Sequence, residues 1–310
     1  MVDFLINWIS IVPSFATPFV LAALGLIICE RSGVLNLGAE GFMLVGALAG
    51  VGLMVNNTPA LVSLIGAMLA GSVFGLMFAL MVAGLRINHV ISGLALVFLA
   101  QALTSLIATQ QGWTNNPISG LNPLFPESLS ELPIFGSILF GQDIIVYITP
   151  FLCFFVTFVI YRTKVGLNLR AVGENPYAAD AAGINVTFIR FLAIVIGGAL
   201  LGLAGGYLTV AVSKIWVDGV VGGRGWIAIA LVIFARWGPW RALVGALLFG
   251  CIEALIPRIA AVGLNVPQYF LLMTPYLATL GVMIWTAIRL KNDWSQPSAL
   301  GQHHIREERT

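Results

Sequence analysis

The chain has 310 residues, 59% of them hydrophobic and 9% charged, with a formal net charge of +2 and a mean hydropathy of +0.98. A water-soluble domain carries about 25% charged residues, so lipid rather than water must cover most of this surface, and the expected fold is an all-α, polytopic transmembrane helical bundle. The 15 Lys and Arg residues are scattered rather than gathered into a patch, which argues against nucleic acid as a partner.

Met1 to Ser10 holds Asp3 but no Lys or Arg, so the basic start of a cleaved signal peptide is missing and the first apolar run is expected to be retained. A helix needs about 20 apolar residues to cross the hydrocarbon core. About nine runs (eight to ten) meet this approximately, at 11–29, 38–55, 60–84, 89–109, 143–161, 188–211, 219–235, 242–260 and 268–288. Between the first two lies Glu30-Arg31-Ser32-Gly33-Val34-Leu35-Asn36-Leu37-Gly38-Ala39-Glu40-Gly41. Its glycines permit an irregular backbone, while Asn36 and Glu40 bring polar groups to the entry of the second helix. Two readings stand: a capped turn at the membrane surface, or a discontinuous helix start beside a translocation path. Gly198, Gly202 and Gly206, like Gly46/Gly50 and Gly71/Gly75, recur every four residues. That spacing permits close helix contact, either within one subunit or at a dimer face.

No Lys or Arg occurs between Arg86 and Arg162, and the polar stretch 110–142 inside that interval carries only Glu127 and Glu131 as charges. Short loops rich in Lys and Arg stay in the cytoplasm, so 110–142 is assigned as an extracytoplasmic loop. By the same rule 162–187, the Arg236 to Arg241 turn and the tail 289–310 are cytoplasmic. Residues 1–310 then form a single transmembrane domain, and nine spans place its N-terminus outside. The run at 219–235 opens on Asp218-Gly219-Val220-Val221-Gly222-Gly223-Arg224-Gly225, where glycines and charge predict a short or broken helix.

Within 162–187, Asn175 can cap a helix whose first residue is Pro176, and Gly183 can stop it. A cytoplasmic helix of about two turns is expected there, with Ala178, Ala179, Ala181 and Ala182 leaving it bare enough to dock into another protein. Other chemistry is absent from the sequence. No Lys follows the Gly-rich spacing of a P-loop. The histidines His89, His303 and His304 lack zinc-site spacing, and Cys29, Cys153 and Cys251 lie far apart in apolar runs. No nucleophile and base, and no pair of carboxylates, marks an enzyme.

The segment Glu30 to Gly41, together with Arg170-Ala171-Val172-Gly173-Glu174-Asn175-Pro176 through Gly183-Ile184 and with Met273-Thr274-Pro275-Tyr276-Leu277-Ala278-Thr279-Leu280, resembles the inner-membrane permease of ATP-binding cassette (ABC) importers. The resemblance is to the branched-chain amino acid and ribose group, and within it to the nucleoside and simple-sugar uptake branch. It implies a non-catalytic subunit that forms the path for a small polar solute by alternating access, in the plasma (inner) membrane of a bacterium.

The same resemblance implies the partners: ABC ATPase subunits, which bind the ATP and Mg that this chain does not, a second permease in a heterodimer or homodimer, an extracytoplasmic substrate-binding protein, and membrane lipid. Gly173, Glu174, Asn175, Pro176, Ala178, Ala179 and Gly183 are the implied counterparts of the family's coupling helix. Path candidates are Asn36, Glu40, Asn88, His89, Ser92, Gln101 and Glu253, with Glu253 alternatively pairing with Arg258. One departure is Val97, after Gly93-Leu94-Ala95-Leu96, where family members often carry a polar residue. The competing reading is a secondary transporter or channel that works alone with Glu40, Glu253 and Arg258 as ion or proton sites.

Overall fold

A computed structural model describes residues 2–126, 129, 136–261, 273, 274, 277, 280, 281, 284, 288 and 296–302. The helices are α1 (Val2–Arg31), α2 (Ala39–Val55), α3 (Ala60–Ala79), α4 (His89–Gln110), α5 (Ile144–Arg162), α6 (Lys164–Glu174), α7 (Pro176–Ala181), α8 (Val186–Tyr207), α9 (Arg224–Phe234) and α10 (Pro239–Ala261). Both α3 and α8 continue into π-helical turns, Leu80–Gly84 and Leu208–Ser213. Only isolated β-bridges, Thr114 with Trp216 and Pro117 with Ile215, occur among the described residues.

Polar residues at run boundaries start these helices by accepting the N–H bonds that a first turn leaves open. Asn88 takes Val90 and Ile91, Asp143 takes Ile145 and Val146, and Asn185 takes Phe188. Asp143 also accepts from the buried Tyr207 hydroxyl at 2.6 Å, fixing the start of α5 against α8.

Among the described residues, six helices are long and apolar enough to cross a membrane: α1, α3, α4, α5, α8 and α10, with the two π-helical turns included. Two apolar helices are shorter, α2 with 17 residues and α9 with 11; at 1.5 Å per residue α9 reaches roughly 16 Å, about half of a bilayer core. The run at 268–288 lies largely outside the described residues. Its described positions, among them Met273, Leu277, Leu280, Ile284 and Ile288, are helical and exposed.

Helix α8 sits at the centre, packed on α1, α2 and α3. Glycine makes this possible. A methyl group on Gly46 of α2 would overlap the Gly202 carbonyl, one on Gly71 of α3 the Gly198 carbonyl, and one on Gly25 of α1 would lie 2.6 Å from Gly197 O. The four-residue glycine spacing is therefore spent within the chain, the first of the two readings it allowed. Large apolar side chains such as Phe151, Phe154 and Phe155 face outward, as a lipid-covered bundle requires.

The two ends of the bundle differ. One, called here the basic end, carries Arg31, Arg162, α6, α7 and the segment 296–302. At the far end, Asn115 N–H donates to Trp216 O and Ile118 N–H to Lys214 O. Residues 163–175 depart from the loop reading, because Thr163 caps Gly166 N–H and starts α6. Glu127 and Glu131 of the 110–142 stretch lie outside the described residues.

Candidate functional site

The segment Glu30 to Gly41 turns at Ser32 and Gly33 and is mostly buried. It climbs back into the bundle, and α2 begins deep inside, where a methyl group on Gly41 would lie 2.9 Å from the Val97 Cα, two turns into α4. Val97, the position that departs from the family pattern, is thus packed against the glycine that opens α2.

The short helix α9 is held by this segment at both ends. At its start, the Glu40 carboxylate accepts from Gly223 N–H through Oε1 and from Gly225 N–H through Oε2, both at 2.8 Å. The positive end of the helix dipole adds to this attraction. Gly223 has φ +85°, a conformation that costs little without a Cβ. Beyond the end of α9, Trp237 Nε1 donates to Glu30 Oε2 at 2.6 Å, and Arg31 Nη2 donates to Trp237 O at 3.3 Å and Tyr161 OH at 3.2 Å. Glu30 and Glu40 therefore bracket one half-length helix.

Arg224, first in α9, forms an ion pair with Glu253 of α10 at 2.9 Å. Arg258, the expected partner, instead donates to Asn7 O at 3.2 Å. Distance along α10 decides this: Glu253 faces the interior at the level of α9, while Arg258 lies near the start of α1. Breaking a buried pair leaves one uncompensated charge, so Arg224→Met alone is expected to cost ~3 kcal/mol of stability. The double replacement Arg224→Met with Glu253→Leu should recover most of it; denaturation in detergent compares the two.

Of the remaining path residues, Asn36, His89 and Ser92 come together where the climbing segment meets α4. His89 Nδ1 accepts from Leu35 N–H at 3.3 Å, and Asn36 Oδ1 accepts from Gly38 N–H at 2.9 Å. Asn36 Nδ2 and Ser92 Oγ are buried with no hydrogen-bond partner among the described residues. Asn88 is exposed and its side chain caps α4, while Gln101 is exposed on the outer face of α4, away from this cluster. Sequence reasoning missed Glu30, Trp237 and the partnership of Glu40 with Gly223 and Gly225; the only sign of the last was a glycine run that a capped helix start would use.

At the basic end, Asn175 Oδ1 accepts from Ala178 N–H at 2.9 Å, and Gly183, with φ +84°, ends the turn that follows α7. Val172, Ala179 and Val186 form a small apolar cluster under it. The expected coupling residues divide accordingly: Gly173, Pro176 and Ala179 are buried anchors, while Glu174, Asn175, Ala178 and Gly183 are exposed. A methyl group on Gly173 would overlap the Arg31 carbonyl, so α7 is joined to the bracket through the end of α6.

Residues 9–283 match the family described as branched-chain amino acid transport system / permease component. The chain is 38% identical to permease protein TsgC13 of Haloferax volcanii over 94% of this chain and 95% of that one. It is 34% identical to the guanosine ABC transporter permease protein NupQ of Bacillus subtilis, over 86% of this chain and 87% of the relative. The nucleoside ABC transporter permease protein NupC of Lactococcus lactis is also 34% identical, over 87% and 88%. With a bracketed half-helix inside and a short capped helix at one end, and with the match running through nearly all of its helices, the chain belongs to the branched-chain amino acid transport system permease family.

Proposed function

We propose that this chain is the membrane permease of an ATP-driven importer for a nucleoside or simple sugar. The observation that carries the proposal is α7, a short helix with Tyr177 and Ala178 exposed, which is capped, anchored and joined through Gly173 to the bracket around α9. A carrier that worked alone would have no use for such a docking element. The substrate class is supported by the relatives named for guanosine, nucleoside and, in Haloferax volcanii, glucose transport.

In this reading the basic end is cytoplasmic, the chain makes about nine crossings, and it catalyses nothing itself. ATP and Mg reside in separate ATPase subunits that receive α7. A second permease completes the path, and an extracytoplasmic binding protein delivers the solute. ATPase closure pushes on α7, and Gly173 passes the displacement to Arg31 and so to the bracket and α9, a two-state element able to switch the opening. Asn36 and Ser92 are the path residues we favour, because buried polar atoms without partners cost free energy unless something transient satisfies them.

Co-expression with the ATPases, second permease and binding protein, followed by reconstitution, tests the proposal: labelled nucleoside or glucose should enter vesicles only with ATP. Uptake by the chain alone, driven by an ion gradient, would overturn it. Ala178→Trp, on the open face of α7, is expected to lower ATPase capture about tenfold without destabilising the bundle, tenfold being 1.4 kcal/mol of binding. Ala179→Trp should instead lower stability by overfilling the anchor. Affinity capture and thermal unfolding separate the two effects.

A further inference from the structure

The segment 296–302 belongs to the docking platform rather than to a free tail. Pro297 to Gly301 forms a turn in which Leu300 N–H donates to Pro297 O at 3.1 Å, and Gly301 takes φ +79°. The turn is fastened on three sides. Ala299 N–H donates to Gly173 O at 2.9 Å and Gly301 N–H to Gly33 O at 3.0 Å. Ser298 Oγ and N–H both donate to Glu174 Oε2, at 2.8 and 3.3 Å. Arg190 Nη1 donates to Gln302 O at 3.0 Å while its Nε donates to Ser32 O at 3.3 Å. Ala299 is 2% exposed, so a charged group there would be buried without a partner.

We infer that residues 296–302 are a strap that holds the α6–α7 corner against the start of the bracket, with Ser298 and Ala299 as positioning residues for coupling. Glu174 is then occupied by Ser298, and it serves docking by fixing where α7 stands. Without the strap, α7 would still hang on Gly173 and on the cluster of Val172, Ala179 and Val186, but its position relative to Gly33 would be looser. The coupling role rests on the importer reading, whereas the mechanical role does not.

The test uses the full chain in two settings. In detergent, Ala299→Asp should expel the strap and raise amide hydrogen exchange across 171–184 about tenfold, since local opening governs exchange. In the reconstituted complex the same variant should keep ATPase capture but lower solute uptake per ATP hydrolysed about fivefold, a loosened linkage between two sites. Ser298→Thr, which keeps the hydroxyl, should behave as the unaltered chain.

If Ala299→Asp does not fold, the pair Ser298→Ala and Glu174→Ala decides. A double variant no worse than either single supports the shared bond, and fully additive effects overturn it. Unchanged exchange across 171–184 in a folded Ala299→Asp chain overturns the strap outright. Failure of the unaltered chain to capture any ATPase sinks the importer reading instead, and the exchange result still decides the strap.

Discussion

Replacing Gly205 by leucine should abolish the folded bundle. A methyl group at that position would already overlap the Met43 carbonyl of α2, and neither side has a flexible side chain that can yield. Overfilling an ordinary core costs about 1 to 3 kcal/mol because rotamers shift to make room; here two backbones must separate, so ~3 kcal/mol or more is expected. The damage would spread, because the Gly46–Gly202 and Gly71–Gly198 contacts that flank it depend on the same close approach of α8 to α2 and α3. Gly84→Ala is the matched control, since an added Cβ there meets nothing within 4 Å. Size-exclusion profiles and thermal unfolding in detergent should show aggregated Gly205→Leu and unaltered Gly84→Ala. A monodisperse leucine variant of normal stability would refute this account of the α8 contacts.

Glu40→Ala carries the second large effect, chiefly on transport. It strips the acceptor from the half-buried Gly223 amide and the buried Gly225 amide, and an unsatisfied buried donor costs about 1 to 3 kcal/mol. Uptake in the reconstituted complex should fall about tenfold or more, as expected when a conformational element loses 1.4 kcal/mol or more of positioning energy. Glutamine is not a conservative rescue, because its NH2 group would face one of the two N–H donors. Glu40→Gln is therefore expected to fall between alanine and the unaltered chain. Full transport by Glu40→Ala would show that the cap on α9 is dispensable.

Much of the platform was legible before the structure, and for local reasons. Asn175, Pro176 and Gly183 are a start, a first turn and a stop that act through the backbone beside them, and the structure places a helix between them. The glycines before Arg224 announced the short α9 in the same way. Long-range partners left no such mark. That Glu40 would cap a helix far along the chain depends on how α2, α9 and α10 pack, and neither hydropathy nor spacing encodes that packing. Arg258 was the nearer cation in sequence to Glu253, yet depth in the bundle, not sequence distance, chose Arg224. Helix α6 was missed because its mixed polar and apolar residues resemble a loop unless the Thr163 cap is weighed.

The bracket formed by Glu30 and Glu40 also works as a ruler. Its two carboxylates meet the two ends of the stretch from Gly223 to Trp237, so the number of residues between them is matched to the length of a rigid rod. Inserting a single alanine between Val34 and Asn36 would leave every side chain chemically intact, yet only one carboxylate at a time could reach its mark. The segment should therefore tolerate substitution at its unpaired positions far better than any change in its length.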